Sequence, residues 1–307
     1  PLGHTYTGYY AVMAQKYWQV FGKEEESFRR TMAEIAVKHR GDARFNPFAH
    51  GGMDITVEDV LKSPVVAYPL RLLDCCLMSV GASCAVICDE DTALQLTKDT
   101  RNKPLRIWVT SGSHTLRAGC RRNMEIPLLP NENKNQYADL EDRFPGADRY
   151  PGFTGFLAAR IAAYYAYNMC GITNPIEEID VAELHDAFTI SDIQTYEDLG
   201  FRPYGEGRDY VESGDCYHTL PSTGEPGRLP SNVSGGLMGC AHAIGASGIM
   251  QIFEVATQLW GRWGEIHGDP KLWEMFGREM PSDWKDLQVK NPRRGLTISH
   301  AGLGSNV

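Results

Sequence analysis

Residues 181–201 read VAELHDAFTISDIQTYEDLGF. Ile179 to Leu184 predicts a buried strand, and the polar pair His185-Asp186 follows it directly. Thr189 to Leu199 then predicts a helix stopped by Gly200, with Thr189 and Asp192 spaced as a capping pair. Upstream, Phe156 to Cys170 predicts an Ala- and Tyr-rich helix stopped by Gly171. Downstream, a helix over Ala246–Trp263 is expected to bury Ile249, Phe253, Ala256 and Trp260, and Gly295–Ile298 predicts a closing strand. Strands that alternate with helices imply an α/β sheet with covering helices.

In such sheets ligands gather at the carboxyl ends of strands. His185 stands there, suited to donate to a developing oxyanion or to move a proton. A capping loop with a satisfied core histidine is the simpler account of one His-Asp pair. The same transition recurs twice. Residues 232–248, NVSGGLMGCAHAIGASG, form a glycine-rich loop feeding a helix, with His242 at its entrance. Glycines let backbone approach a ligand, and the N–H groups of a helix start favour negative charge; a tight packing turn is the alternative. Ser299-His300-Ala301-Gly302 closes the third. Three histidine-bearing strand ends in one half of a chain could converge on one site.

The first half is less regular. Tyr10, Met13, Ala14, Tyr17, Trp18 and Phe21 predict a helix ending at Gly22, and a second covers Glu24 to His39 with Phe28, Met32, Ile35 and Ala36 inward. Asp54–Leu61 predicts a strand end running into one helical turn, with loops at Pro64 and Pro69. Gly81–Cys88, GASCAVIC, predicts a strand buried on both faces. A helical turn follows at Thr92–Leu96, a boundary falls near residue 99, and Leu105–Val109 predicts another strand. Residues 112–155 are rich in Gly, Pro, Asn and charge, too long for a plain connection.

The chain has 307 residues, 42% hydrophobic and 22% charged, with net charge −9 and pI near 5.5. That balance argues against general nucleic-acid binding, which favours a basic face. No apolar run approaches the roughly 18 residues of a spanning helix, and Pro1–Tyr6 lacks a basic region before an apolar one. A cytoplasmic protein with no membrane contact is expected. The eight cysteines contain no CxxC pair, which favours reduced thiols over disulfides or a metal.

These strings carry a family resemblance. Residues 181–201 resemble the HDCF block of thiolases of the sterol-carrier-protein and archaeal type, and 232–248 resemble their NPSGG…GHPxGATG block. Residues 9–17 (YYAVMAQKY), 46–76 (NPFAHGGMDITVEDVLKSPVVAYPLRLLDCC) and 289–305 (VKNPRRGLTISHAGLGS) match in the family's order. The resemblance implies the thiolase fold, a layered αβαβα arrangement of two βαβαβαββ halves. The first half would be largely missing from this chain: residues 1–98 would be the loop domain and last strand of that half, and 99–307 the second half with an excursion at about 112–155.

Carried over residue by residue, His242 matches the GHP histidine, which activates a nucleophilic cysteine and helps bind the thioester oxygen. His185 matches the HDCF histidine beside the catalytic oxygen site. Ser234 matches the serine that contacts the pantetheine arm of coenzyme A, with Gly235, Gly236, Ala243 and Gly245 around it. Ser299 and His300 occupy the loop where other thiolases carry a CxG cysteine, and Ala187 replaces the HDCF cysteine. No nucleophile is assigned: the resemblance places the nucleophilic cysteine before the 9–17 helix at which this chain begins, Cys75 and Cys76 match a structural stretch, and Cys84 and Cys88 fall in the expected buried strand. Coenzyme A is the implied cosubstrate, with no metal in this chain. A homodimer is expected, with a small zinc-ribbon and OB-domain protein as a possible partner docking on 112–155. The implied reaction is thiolysis of a 3-oxoacyl-CoA; the alternatives are a retro-aldolase acting on a 3-hydroxyacyl-CoA, as in steroid side-chain removal, and a non-catalytic acyl-CoA-binding subunit.

Overall fold

The computed structural model describes residues 5–21, 24–111, 127–132, 152–240 and 242–301. Helix α1, Tyr6–Phe21, begins earlier than expected and buries Tyr10, Met13, Ala14 and Tyr17. Helix α2, Glu25–Ala43, has Glu25 and Glu26 in its first turn, where the helix dipole favours them. It runs one turn past the expected end at His39 because its last turn lies under the glycine-rich stretch. A Cβ on Gly235 would sit 2.4 Å from the Ala43 Cβ, and one on Gly239 2.4 Å from the His39 carbonyl oxygen. Helix α3, Val57–Lys62, opens with a Thr56/Asp59 capping box and is not preceded by a strand. The segment between Pro64 and Pro69, expected to be loop, is part of an antiparallel hairpin of β1, Val65–Ala67, and β2, Leu70–Arg71. Helix α4, Glu90–Leu96, is N-capped by Asp89 and lies in solvent.

Two expected strands do not form. Residues 81–88 and 105–109 have no strand pairing, and Val86 and Ile87 are more than four-fifths exposed. An apolar run becomes a buried strand only where sheet neighbours and covering layers exist, and the described residues supply neither.

The β/α rhythm of the second half is present. Helix α5, Leu157–Cys170, ends at left-handed Gly171. Helix α6, Pro175–Glu178, leads to β3, Val181–Glu183. Helices α7, Thr189–Asp198, and α8, Gly207–Glu212, follow, then α9, Gly236–Gly239, and α10, Ser247–Leu259. The chain continues with α11, Trp263–His267, α12, Pro270–Met275, and β4, Gly295–Thr297. Strand β3 pairs in parallel with β4 and, on its other side, bridges to Ser231, so three chain segments run side by side in one direction. The main apolar cluster joins α1 and α2 to α5, α7, Leu237 and Ile298, so residues on both sides of position 99 share one core.

Two helices differ from expectation in their polar contacts. On α7 the Thr189–Asp192 capping pair is absent: Ser191 Oγ receives the Phe188 N–H, Thr189 donates to Asp74, and Asp192 turns towards His39. On α10 the buried face is Gln251, Glu254, Val255, Ala256, Thr257 and Gln258; Ala256 is buried as expected, while Ile249, Phe253 and Trp260 are only half-buried. Glu254 goes inward because Asn46 Nδ2, Trp263 Nε1 and His267 Nε2 all meet its carboxylate. No helix among the described residues is long and apolar enough to cross a membrane. The excursion expected at 112–155 lies mostly outside the described residues; within it, Leu129 is buried and Asn131 donates to the Gly200 carbonyl.

Candidate active site

Strands β3 and β4 end at one place. His185 follows β3 and His300 follows β4, and their ring centroids lie 4.3 Å apart. His242 meets His185 edge-on, with centroids 5.2 Å apart and planes at 89°. The three histidines converge as expected, but only His185 and His300 stand at strand ends; His242 arrives on the turn after α9. His300 also packs on Phe156 at 4.8 Å, which closes the far side of the cluster with an aromatic wall.

The environment makes these imidazoles neutral. His185 and His300 are almost fully buried, and burial pushes both well down, His300 to about 3; each also feels the neighbouring histidines. His242 is half-buried and lowered by burial, with the Asp186 charge working against that. Tautomers follow from the hydrogen bonds. His185 Nδ1 accepts the backbone N–H of His300 at 3.4 Å, which places the His185 proton on Nε2, a donor. His242 Nδ1 lies 3.0 Å from Ser247 Oγ, whose hydroxyl donates to the Ala243 carbonyl. His242 therefore donates through Nδ1 and keeps a lone pair on Nε2, an acceptor. One neutral donor and one neutral acceptor stand side by side. Both ring nitrogens of His300 are buried and have no hydrogen-bond partner among the described residues.

The backbone that carries His242 is clamped. Its N–H donates to the Leu77 carbonyl and its carbonyl accepts from Ser79, a parallel bridge to a segment just before the expected 81–88 strand. Residues Ala243 to Gly245 then turn outward; Gly245 has open space where a side chain would be, and Ile244 beside it is exposed. Ser299 is half-buried against Gly248, close enough that a Cβ there would lie 3.2 Å from its own Cβ. Ser234, Gly235 and Gly236 stand elsewhere: all three are fully buried. The Ser234 hydroxyl donates to Glu183 at 2.7 Å and its N–H to the same carboxylate at 3.0 Å, so it offers no uncommitted hydroxyl to a ligand. Gly236 has φ +60° and lies against Asp186, where a Cβ would come within 2.2 Å of a carboxylate oxygen. For this part of the loop, packing explains the glycines; the surface-facing part is 243–245.

Of the cysteines, Cys84 and Cys88 need correction. Cys75 and Cys76 are half-buried, and burial pushes both thiols up to about 12, as befits packing residues. Cys84 and Cys88 are exposed, not held in a buried strand. Residues missed from sequence are Ser247, which fixes the His242 tautomer, and His39, which hydrogen-bonds Asp186. A signal for His39 existed: it continues the Phe28, Met32, Ile35 stripe of α2 at helical spacing.

Comparison with known proteins points the same way. Residues 147–270 match the Thiolase C-terminal domain-like family. The benzoylsuccinyl-CoA thiolase subunit BbsB of Thauera aromatica is 33% identical over 84% of this chain and 55% of its own length. An acetyl-CoA acetyltransferase of Methanothermobacter thermautotrophicus is 33% identical over 86% of this chain and 57% of its own. The chain belongs to the thiolase superfamily. It spans a little over half the length of these relatives. A solved Ltp2-ChsH2(DUF35) aldolase superposes on this thiolase-superfamily chain with a TM-score of 0.61 at 25% identity, over 88% of this chain and 59% of the other. The mixed α/β architecture, with its few strands, is a partial thiolase fold.

Proposed function

We propose that the protein makes or breaks a carbon–carbon bond beside a coenzyme A thioester, with His185, His242 and His300 as its acid–base and oxyanion-binding groups. The observation that carries this is the pairing of a neutral Nε2–H donor on His185 with a bare Nε2 on His242 at the carboxyl ends of β3 and β4. Cleaving a 3-oxoacyl-CoA or joining two acyl units places negative charge on a thioester oxygen, which a neutral donor stabilises without the cost of burying a second charge. The same step needs a base to take a proton, and a lowered histidine stays unprotonated for that role. The exposed turn 243–245 beside His242 is the side from which a pantetheine arm would approach. Ser234, Gly235 and Gly236 would act from beneath, by fixing the turn.

The acyltransferase relatives support thiolysis, in which a cysteine thiolate accepts the acyl group. None of Cys75, Cys76, Cys216 and Cys240 suits that role, since burial raises each thiol. A second reading is favoured by Ala187, two residues from His185, which cannot move a proton where the resembling thiolases carry a cysteine: retro-aldol cleavage of a 3-hydroxyacyl-CoA. There His242 takes the hydroxyl proton, the bond between the 2- and 3-carbons breaks, and its electron pair becomes a thioester enolate held by His185. The solved aldolase carries ChsH2(DUF35) in its name, which supports a small partner protein for this chain as well. The test is to incubate the full protein with a 3-oxoacyl-CoA plus coenzyme A, and separately with a 3-hydroxyacyl-CoA, following intact mass and products. A transient acyl adduct with shortened acyl-CoA establishes thiolysis. Carbonyl product without an adduct establishes the aldolase. Neither product, with tight acyl-CoA binding, would leave a binding subunit.

A further inference from the structure

A fourth imidazole lies beneath the cluster. His39 on α2 is fully buried, and its Nδ1 lies 2.9 Å from Asp186 Oδ2. Its Nε2 is 3.3 Å from Asp192 Oδ2 on α7, so the ring sits between two buried carboxyl groups. Asp186 follows His185 in the chain, and its two oxygens receive the N–H groups of Leu237, at 2.6 Å, and Met238, at 3.1 Å. Those residues form α9, the turn that leads into His242. One carboxylate thus ties together α2, the strand end bearing His185 and the turn bearing His242.

We propose that His39 is a positioning residue for the histidine cluster, acting through Asp186: its Nδ1–H holds the Asp186 carboxylate as an anion, and that anion fixes both His185 and the His242 turn. This rests on the reading of His242 as the base. The charge distribution agrees with it. Burial opposes the Asp186 anion, but His39 and the two backbone N–H groups outweigh it and keep the carboxyl below its ordinary range. Burial and the neighbouring Asp186 charge drive Asp192 far up, so Asp192 carries the proton of the pair. The other titratable groups facing Asp186 are Arg40 on α2, Glu183 on β3, and the thiols of Cys76 and Cys240, besides His185 and His242. None of these side chains hydrogen-bonds to the carboxylate among the described residues. Lys38 and Asp42 face His39 from its own helix. For His242, burial lowers the imidazole and the Asp186 anion is what opposes it, so loss of that anion must weaken His242 as a base.

The test is the titration of His242 followed by imidazole ¹⁵N resonances in the full protein and in three variants. His39→Leu removes the donor, His39→Asn keeps an N–H at the Nδ1 position, and Asp186→Asn removes the anion. The His242 midpoint is expected to fall in Asp186→Asn, to fall in the same direction in His39→Leu by about half a unit, a three-fold change in proton affinity, and to recover in His39→Asn. An unshifted midpoint in a folded His39→Leu overturns the proposal. The wild-type spectrum is a second measurement that needs no variant: it should show the His39 proton on Nδ1, and a proton on Nε2 with a bare Nδ1 overturns the proposal even if His39→Leu does not fold. Neither readout uses a substrate, so failure here is distinct from failure of the catalytic reading, which turnover by His242→Ala decides.

Discussion

The molecule buries two kinds of histidine a short distance apart. His39 and His267 lie in helices and meet carboxylates, Asp186 and Asp192 for one and Glu254 for the other. His185 and His300 lie just past strand ends and meet each other, His242 and Phe156, with no carboxylate hydrogen-bonded to any of these rings among the described residues. A buried imidazole with a carboxylate partner is scaffold: each satisfies the other, and removing either leaves a buried polar group without its partner. A buried imidazole among rings keeps nitrogens uncommitted, and uncommitted polar atoms in an interior mark a place built for something else to bind. One residue type serves two purposes, and its partners decide which.

The strongest way to break this comparison is on the scaffold side. Asp186→Ala leaves His39 Nδ1–H and two N–H groups of α9 without an acceptor. It should cost about 3–5 kcal/mol of stability, since each buried donor left without an acceptor costs about 1–3 kcal/mol, measured by denaturant unfolding. His185→Phe removes an imidazole that has no carboxylate partner, and it should leave stability within about 1.5 kcal/mol while lowering kcat by roughly 100- to 1,000-fold, the range for loss of one oxyanion donor. Equal stability losses in both variants would erase the distinction.

Protonation sharpens it further. A histidine pushed down in the folded state takes up its proton only when the chain unfolds, so stability is lost as pH falls below the ordinary value near 6.5 and continues to fall towards about 3 for His300. His300→Phe keeps the packing on Phe156 and should remove about one proton from the uptake on unfolding near pH 5, read from the pH dependence of the melting temperature. For the same reason the acid limb of kcat/KM should lie below the ordinary histidine range. The smallest effect belongs to Ser247→Ala, which releases His242 Nδ1 without touching the cluster; about a ten-fold loss of kcat at nearly unchanged KM is expected, and an equal change in both would make Ser247 a binding residue instead.

Much of the cluster was legible in the sequence, because each histidine stands directly after a strand-like run or a glycine turn, and parallel strands end on one side of a sheet. The partners were not. His39 sits between Lys38 and Arg40 at the expected end of its helix, and only its spacing from Ile35 and Met32 points inward. On α10 composition misled: Ile249 and Phe253 look like the core face, yet Glu254 is buried because distant Asn46, Trp263 and His267 meet it. Residues 81–88 and 105–109 show the converse, since apolar character describes what a side chain prefers and not whether neighbours exist to cover it.

The most direct test of the central claim is turnover of a 3-oxoacyl-CoA or 3-hydroxyacyl-CoA by His242→Ala, beside a measurement of its melting temperature. The account predicts loss of at least about 100-fold in kcat, in whichever reaction the native protein performs, with a fold as stable as the native one. Near-normal turnover by the folded variant would contradict it, because His242 would then not be the base.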